Sequence, residues 1–121
     1  VWFVLDNGQK ISWLNDRQFA SNPCGSHPVG LKQANAWGLY DMLGNVYEWV
    51  ADPWHGDYKD APEDGKVWQE EGLGESDELR RVVRGGSWLG RAGLCRSAFR
   101  GRLEPVSRFD LAGFRCVRVQ V

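Results

Sequence analysis

The chain has 121 residues, 15 basic and 16 acidic side chains, and a net charge of −1. That length suits one domain, and the charge balance gives nucleic acid or an acidic membrane no electrostatic footing. No apolar run approaches the roughly 20 residues of a membrane helix, whereas 15 glycines and 7 tryptophans point to a loop-rich fold pinned by aromatic anchors.

Val1 to Leu5 is an apolar run closed by Asp6-Asn7-Gly8, a strong turn signal. Ile11 and Trp13 then alternate, so residues 1–14 are expected to form a hairpin. Residues 15–26 are polar and irregular, with a turn at Asn22-Pro23. Between Asp41 and Asp52 a sharp Gly44-Asn45 turn leads into a short aromatic strand. Asp41 and Glu48 bracket that turn. Paired carboxylates beside exposed carbonyls can hold a hard cation; they can equally brace the turn. Residues 53–79 form a long acidic stretch, expected to pack through Tyr58 and Trp68 or to serve binding. His27 and His55 have no partner at metal-ligand spacing. The 3 cysteines, Cys24, Cys95 and Cys116, leave at least one thiol free or paired outside the chain.

The stretch from Arg84 to Val119 organises the rest. A strand begins at Arg81-Val82-Val83 and is broken by Gly85-Gly86. If the following segment is extended, Arg96, Ala98, Arg100 and Arg102 share one side. These arginines are expected to brace loop carbonyls, since each carries five donors. Trp88, Ala98 and Phe114 are expected in the core. Phe114, Cys116, Val117 and Val119 would give a last strand its apolar positions.

Gly38-Leu39-Tyr40-Asp41-Met42-Leu43-Gly44-Asn45-Val46-Tyr47-Glu48-Trp49, Arg84-Gly85-Gly86-Ser87-Trp88 and Gly113-Phe114-Arg115 together resemble the formylglycine-generating enzyme (sulfatase-modifying factor) family. The motifs run over residues 28–119. The resemblance implies an α+β, C-type-lectin-like fold, loop-rich with short antiparallel strands, in one domain over residues 1–121 or its C-terminal part. It also implies calcium held by Asp41, the carbonyls of Gly44 and Val46, and Glu48. The family's enzymes bind copper through two cysteines five apart, and those positions match Gly90 and Cys95. Copper(I) needs both thiolates, so neither copper nor formylglycine chemistry is expected.

Within that family, the layout resembles the variable proteins of diversity-generating retroelements, with residues 84–119 as the variable-region-like segment. Framework residues Trp88, Cys95, Arg96, Ser97, Ala98, Arg100, Arg102, Pro105 and Arg108 alternate with sites of a different kind. Those sites are Leu89, Gly90, Arg91, Gly93, Leu94, Phe99, Gly101, Leu103, Val106, Ser107, Phe109, Asp110 and Leu111. In such systems adenines of asparagine codons are randomised, which cannot produce Lys, Glu, Gln, Met or Trp. None of the five occurs at these sites, Glu104 being placed outside the set; together they make up about a fifth of ordinary sequence. The resemblance implies a binding surface for a protein or other macromolecular ligand. Two alternatives stand beside it: an oxidase of the formylglycine-generating type, and an inert member of the family whose apolar sites are simply core.

Overall fold

The computed structural model describes residues 25–68 and 80–118. The hairpin expected over residues 1–14, residues 69–79 of the acidic stretch, and Val119 lie outside the described residues.

Gly44 and Asn45 sit at φ of 94° and 70°, the left-handed region that glycine and asparagine tolerate best. The chain leaves this turn as β1 (Tyr47–Pro53). Tyr47, Trp49 and Val50 are the aromatic and β-branched residues that suit a half-buried pleated surface. Pro53 closes the strand, because it has no N–H to extend the ladder. The remaining elements are β2 (Arg81–Arg84), a 3-10 turn (Ala92–Cys95), β3 (Gly101–Leu103) and β4 (Ala112–Gly113).

The strands form one sheet in the order β3-β2-β1-β4. β1 pairs antiparallel with β2, Glu48 opposite Arg84 and Trp49 opposite Val83. The register shifts before Pro53 meets Arg81, so β1 bulges there. β2 and β3 are antiparallel, with Val82 opposite Arg102. β4 joins the far side of β1 in parallel. The architecture is therefore the expected α+β, loop-rich one, with a parallel pair added to the antiparallel strands.

The core is built on β2. Val82 and Val83 are each 2% exposed. Neighbours on a strand point to opposite faces, so β2 is covered on both. Fully burying a valine contributes about 1.5–3 kcal/mol. Gly101 allows this closeness, since a Cβ there would lie 2.9 Å from Val83 Cγ2. The described part of the acidic stretch is anchored by its rings, as expected. His55 stacks on Trp68 with centroids 3.6 Å apart and planes 1° apart. Trp68 N–H donates to Asp52 Oδ1 at 2.9 Å.

Four expectations need correction. Phe114 is 78% exposed rather than in the core. Its neighbour Arg115 turns inward to Glu48, and adjacent side chains of an extended segment point opposite ways. Ala98 is exposed, because residues 96–99 make a turn closed by Phe99 N–H donating to Arg96 O at 3.0 Å. The alternating segment across residues 95–102 is thus cut to the three residues of β3. Among the described residues, the last strand is Ala112–Gly113, and Phe114, Cys116 and Val117 come after it, exposed. Trp88 is half-buried.

Candidate functional site

Arg84 ends β2 and braces the loops beyond it. Its Nη1 donates to the carbonyls of Ser97 (2.8 Å) and Phe99 (3.5 Å), and its Nη2 to the Tyr58 hydroxyl (3.0 Å). Gly86 then lies directly under Cys95, where a Cβ would sit 2.5 Å from Sγ. Ser87 is 1% exposed. Gly90 N–H donates to Ser87 O at 3.0 Å, closing the turn that feeds the 3-10 segment.

Cys95 is buried and free. Burial raises its thiol above the usual cysteine value, disfavouring the thiolate that acts as nucleophile or metal ligand. Burial also raises the Tyr47 hydroxyl, with the charge of nearby Cys95 adding to it. Gly90 is itself buried, and a Cβ there would lie 3.3 Å from Ser87 O and 3.5 Å from Leu94 Cδ1. Among the described residues the other cysteine is Cys116, which is exposed. Among the described residues, one buried thiol beside a glycine does not fit a two-thiolate copper site.

The thirteen variable-looking residues divide by environment. Leu89, Arg91, Gly93, Val106, Phe109 and Asp110 are exposed. Leu94, Phe99, Gly101, Leu103, Ser107 and Leu111 are half-buried. Gly90, expected among the surface sites, is buried, because the turn folds it beneath Ser87 and Leu94. Trp88 joins two of the loops. Its N–H donates to Asn45 O at 2.7 Å and its Nε1 to Asp110 O at 3.5 Å, which ties it to the Gly44-Asn45 turn and to the 109–111 loop. Leu103 and Ser107 instead line a cavity of about 390 Å³ with Arg80, Arg102 and Glu104. Phe99 faces Tyr47, ring centroids 6.4 Å apart, and Gly101 backs onto Val83.

The arginine row is only partly the brace expected. Arg100 Nη2 donates to the loop carbonyl of Asp57 at 3.5 Å, as expected of a brace; Arg100 also lies over the rings of Tyr58 (4.1 Å) and Trp54 (4.9 Å), and Arg102 over Trp54 (5.2 Å). Arg96 is exposed. The stronger braces are Arg84 and Arg115, which stand out in the sequence only as motif positions.

The Gly-Asn turn gathers its four candidate ligands. Asp41, Gly44, Val46 and Glu48 line one cavity of about 290 Å³ with Tyr40 and Arg115. Arg115 grips Glu48 through Nε (2.8 Å) and Nη2 (2.6 Å), and its Nη2 also reaches Tyr40 O at 2.8 Å. These hydrogen bonds, more than the charge of Glu48, raise Arg115 further above its ordinary value. Asp41 Oδ2 accepts the Gly30 N–H at 2.7 Å. Beneath the cavity, Asn45 mimics a peptide group. Its Oδ1 accepts His27 N–H at 2.9 Å and its Nδ2 donates to His27 O at 3.1 Å. No group of three or more His, Cys, Asp or Glu gathers among the described residues, so a cation here would need backbone carbonyls. The donor set is all oxygen, which suits calcium.

Comparison with known proteins matches residues 6–120 to the sulfatase-modifying factor enzyme 1-like domain. The chain is 39% identical over 113 residues to the serine/threonine-protein kinase pkn1 of Chlamydia caviae, covering 92% of this chain and 17% of that protein. It is 35% identical over 95 residues to the formylglycine-generating enzyme of Thermomonospora curvata, covering 76% and 31%. The chain thus spans less than a third of the length of these relatives. Among solved structures, PvdO from Pseudomonas aeruginosa superposes with a TM-score of 0.69 at 36% identity, covering 93% of this chain and 42% of that one. Treponema denticola variable protein 1 superposes with a TM-score of 0.55 at 37% identity, covering 74% and 31%. With the motif turns, the mixed sheet and the matched length in agreement, the chain belongs to the sulfatase-modifying factor enzyme 1-like domain family.

Proposed function

We propose that this chain is a ligand-binding member of the family, displaying a variable surface of the retroelement kind for a protein or other macromolecular ligand, and that it does not carry out formylglycine chemistry. The observation that carries the reading is the contrast within residues 84–111. Arg84, Gly86 and Ser87 are held tightly, while Leu89, Val106 and Phe109 stand exposed on the intervening loops. Apolar side chains held out on braced loops are what a binding surface needs. Similarity to a variable protein supports the same reading. Glycine at position 90, where the family's enzymes carry the first of their two thiols, weighs against the oxidase alternative.

The test is the triple variant Leu89→Ser/Val106→Ser/Phe109→Ser. Exposed substitutions shift stability by only about 0.5 kcal/mol each, so melting is expected to stay close to that of the parent chain. Binding to a ligand selected by surface-display screening on the parent chain is expected to be lost. Unchanged binding, or conversion of a cysteine-containing sulfatase peptide to formylglycine by the parent chain, overturns the reading.

Calcium at Asp41, Gly44, Val46 and Glu48 belongs to the same proposal, as a stabiliser of the turn. An ion that binds only the folded turn at about 100 times its Kd adds about 2.7 kcal/mol. Chelator is therefore expected to lower the melting temperature of the parent chain and leave Glu48→Gln unaffected. Equal melting of the parent chain with and without chelator sinks the calcium site while leaving the surface reading intact.

A further inference from the structure

We infer that the cavity between β1 and the acidic stretch after it is a second binding site, one that takes a small organic amine carried on an aromatic body. The display reading makes no use of the acidic stretch, and none of the thirteen variable-looking residues lines this cavity. Its volume is about 350 Å³, within the ~300–1,000 Å³ of small-molecule sites, which are mostly apolar with a few placed polar groups. Tyr58, Pro62, Val67 and Trp68 supply apolar lining, and Asp52 and Lys66 the charged groups. Tyr58 is 57% and Val67 48% exposed, so an occupant would cover apolar surface that water now meets.

The walls are fixed in advance. His55 stacks on Trp68 with centroids 3.6 Å apart, and its Nδ1 lies 3.3 Å from Pro53 O at the end of β1. Arg84 Nη2 donates to the Tyr58 hydroxyl at 3.0 Å, and the Arg100 guanidinium lies 4.1 Å from the centroid of the same ring. A ligand therefore meets rings that lose little freedom on binding. The two charged groups differ. Lys66 Nζ faces a carboxylate, Asp64 Oδ2, at 2.6 Å. Asp52 is bonded to a neutral donor, its Oδ1 accepting Trp68 N–H at 2.9 Å, which orients the carboxylate and leaves Oδ2 for the ligand. The charge the cavity presents is thus that of Asp52. The stretch beside it adds to a negative field, Asp57, Asp60, Glu63 and Asp64 outnumbering Lys59 and Lys66. An ammonium answers Asp52 with a charge-assisted hydrogen bond. Tyr58 already carries Arg100 over its ring, so it suits the ligand's apolar body rather than its charge. The amine end is assigned to Asp52, and the flat body to Tyr58, Val67 and Trp68.

Tryptamine, an indole on a short ammonium chain, is titrated into the isotope-labelled full chain and followed by NMR shifts of the N–H signals. Indolepropionate, the same body with a carboxylate in place of the ammonium, and ethylamine, the ammonium without the body, are the comparison probes. Tryptamine is expected to bind and to move the Trp68 signals, with the other two weaker by about tenfold or more. Asp52→Asn keeps an acceptor for the Trp68 N–H and removes the charge. The fold should therefore stand, and tryptamine should bind about tenfold more weakly. Equal or tighter binding of indolepropionate, which would hand the cavity to Lys66 and an anion, overturns the inference. So do equal binding of ethylamine, an Asp52→Asn variant as tight as the parent chain, shifts that spare Trp68, and no binding of tryptamine. The triple loop variant is expected to bind tryptamine as the parent chain does, so this site and the display surface stand or fail separately.

Discussion

Asn45→Ala is expected to cost about 3–8 kcal/mol, a large part of the roughly 5–15 kcal/mol that holds a domain together. Asn45 is 3% exposed and answers both backbone groups of buried His27, accepting from its N–H and donating to its C=O. Alanine leaves a donor and an acceptor buried without partners, at about 1–3 kcal/mol each. It must also adopt φ near 70°, which costs an ordinary residue about 1–2 kcal/mol. Asn45→Gly separates the causes. It removes the hydrogen bonds but accepts the backbone angle, so it should be the milder variant by about 1 kcal/mol. Asn45→Asp should fall between, since a carboxylate can still accept from His27 N–H but faces the His27 carbonyl with no proton to offer. Urea unfolding of the three variants measures this. An Asn45→Ala loss below about 1 kcal/mol would mean that the His27 pairing contributes little. The effect should reach the loops proposed to bind, because Asn45 O accepts the Trp88 N–H.

The residues that shape this site are legible in the sequence where the cause is local. Gly44-Asn45 and Gly85-Gly86 announce backbone angles that few other residues accept, and all four sit at positive φ. Val82-Val83 between arginines announces a buried strand, and β2 is where the core lies. Causes acting across the chain are not legible. Phe114 is large and apolar, which favours the core, but Arg115 has a carboxylate 67 positions away to grip, and only one of two neighbours can face it. The row from Arg96 to Arg102 looks periodic, yet a single hydrogen bond from Phe99 N–H to Arg96 O turns the chain and breaks the period. The parallel pairing of β4 with β1 leaves no mark in two residues as plain as Ala112 and Gly113. The candidate site divides in the same way. The cation-type turn is visible as a motif, while nothing local marks the Arg115 guanidinium as sharing its cavity. Gly90 is visible as a missing thiol, but its burial comes from a turn that only the folded chain reveals.

Gly86→Ala is expected to cost about 2–5 kcal/mol, from two sources that can be told apart. Gly86 lies at φ 77°, where a Cβ costs about 1–2 kcal/mol before any neighbour is met. Its new Cβ would then stand 2.5 Å from Cys95 Sγ and 3.0 Å from Cys95 Cα. The sulfur can rotate only within a buried site, and the Cα can move only if the 3-10 turn moves with it. Overpacking of this kind costs about 1–3 kcal/mol. Cys95→Ala removes the sulfur and leaves the backbone of residue 95 in the way, so the double variant should be more stable than the sum of the singles predicts, by about 1 kcal/mol. Perfect additivity would mean that the backbone angle alone sets the cost. The shift should also be felt at the surface. The 3-10 turn carries Gly93 and Leu94, so ligand binding should weaken in Gly86→Ala and recover part of the way with Cys95→Ala. Recovery of stability without recovery of binding would separate the Gly86–Cys95 packing from the display of the loop.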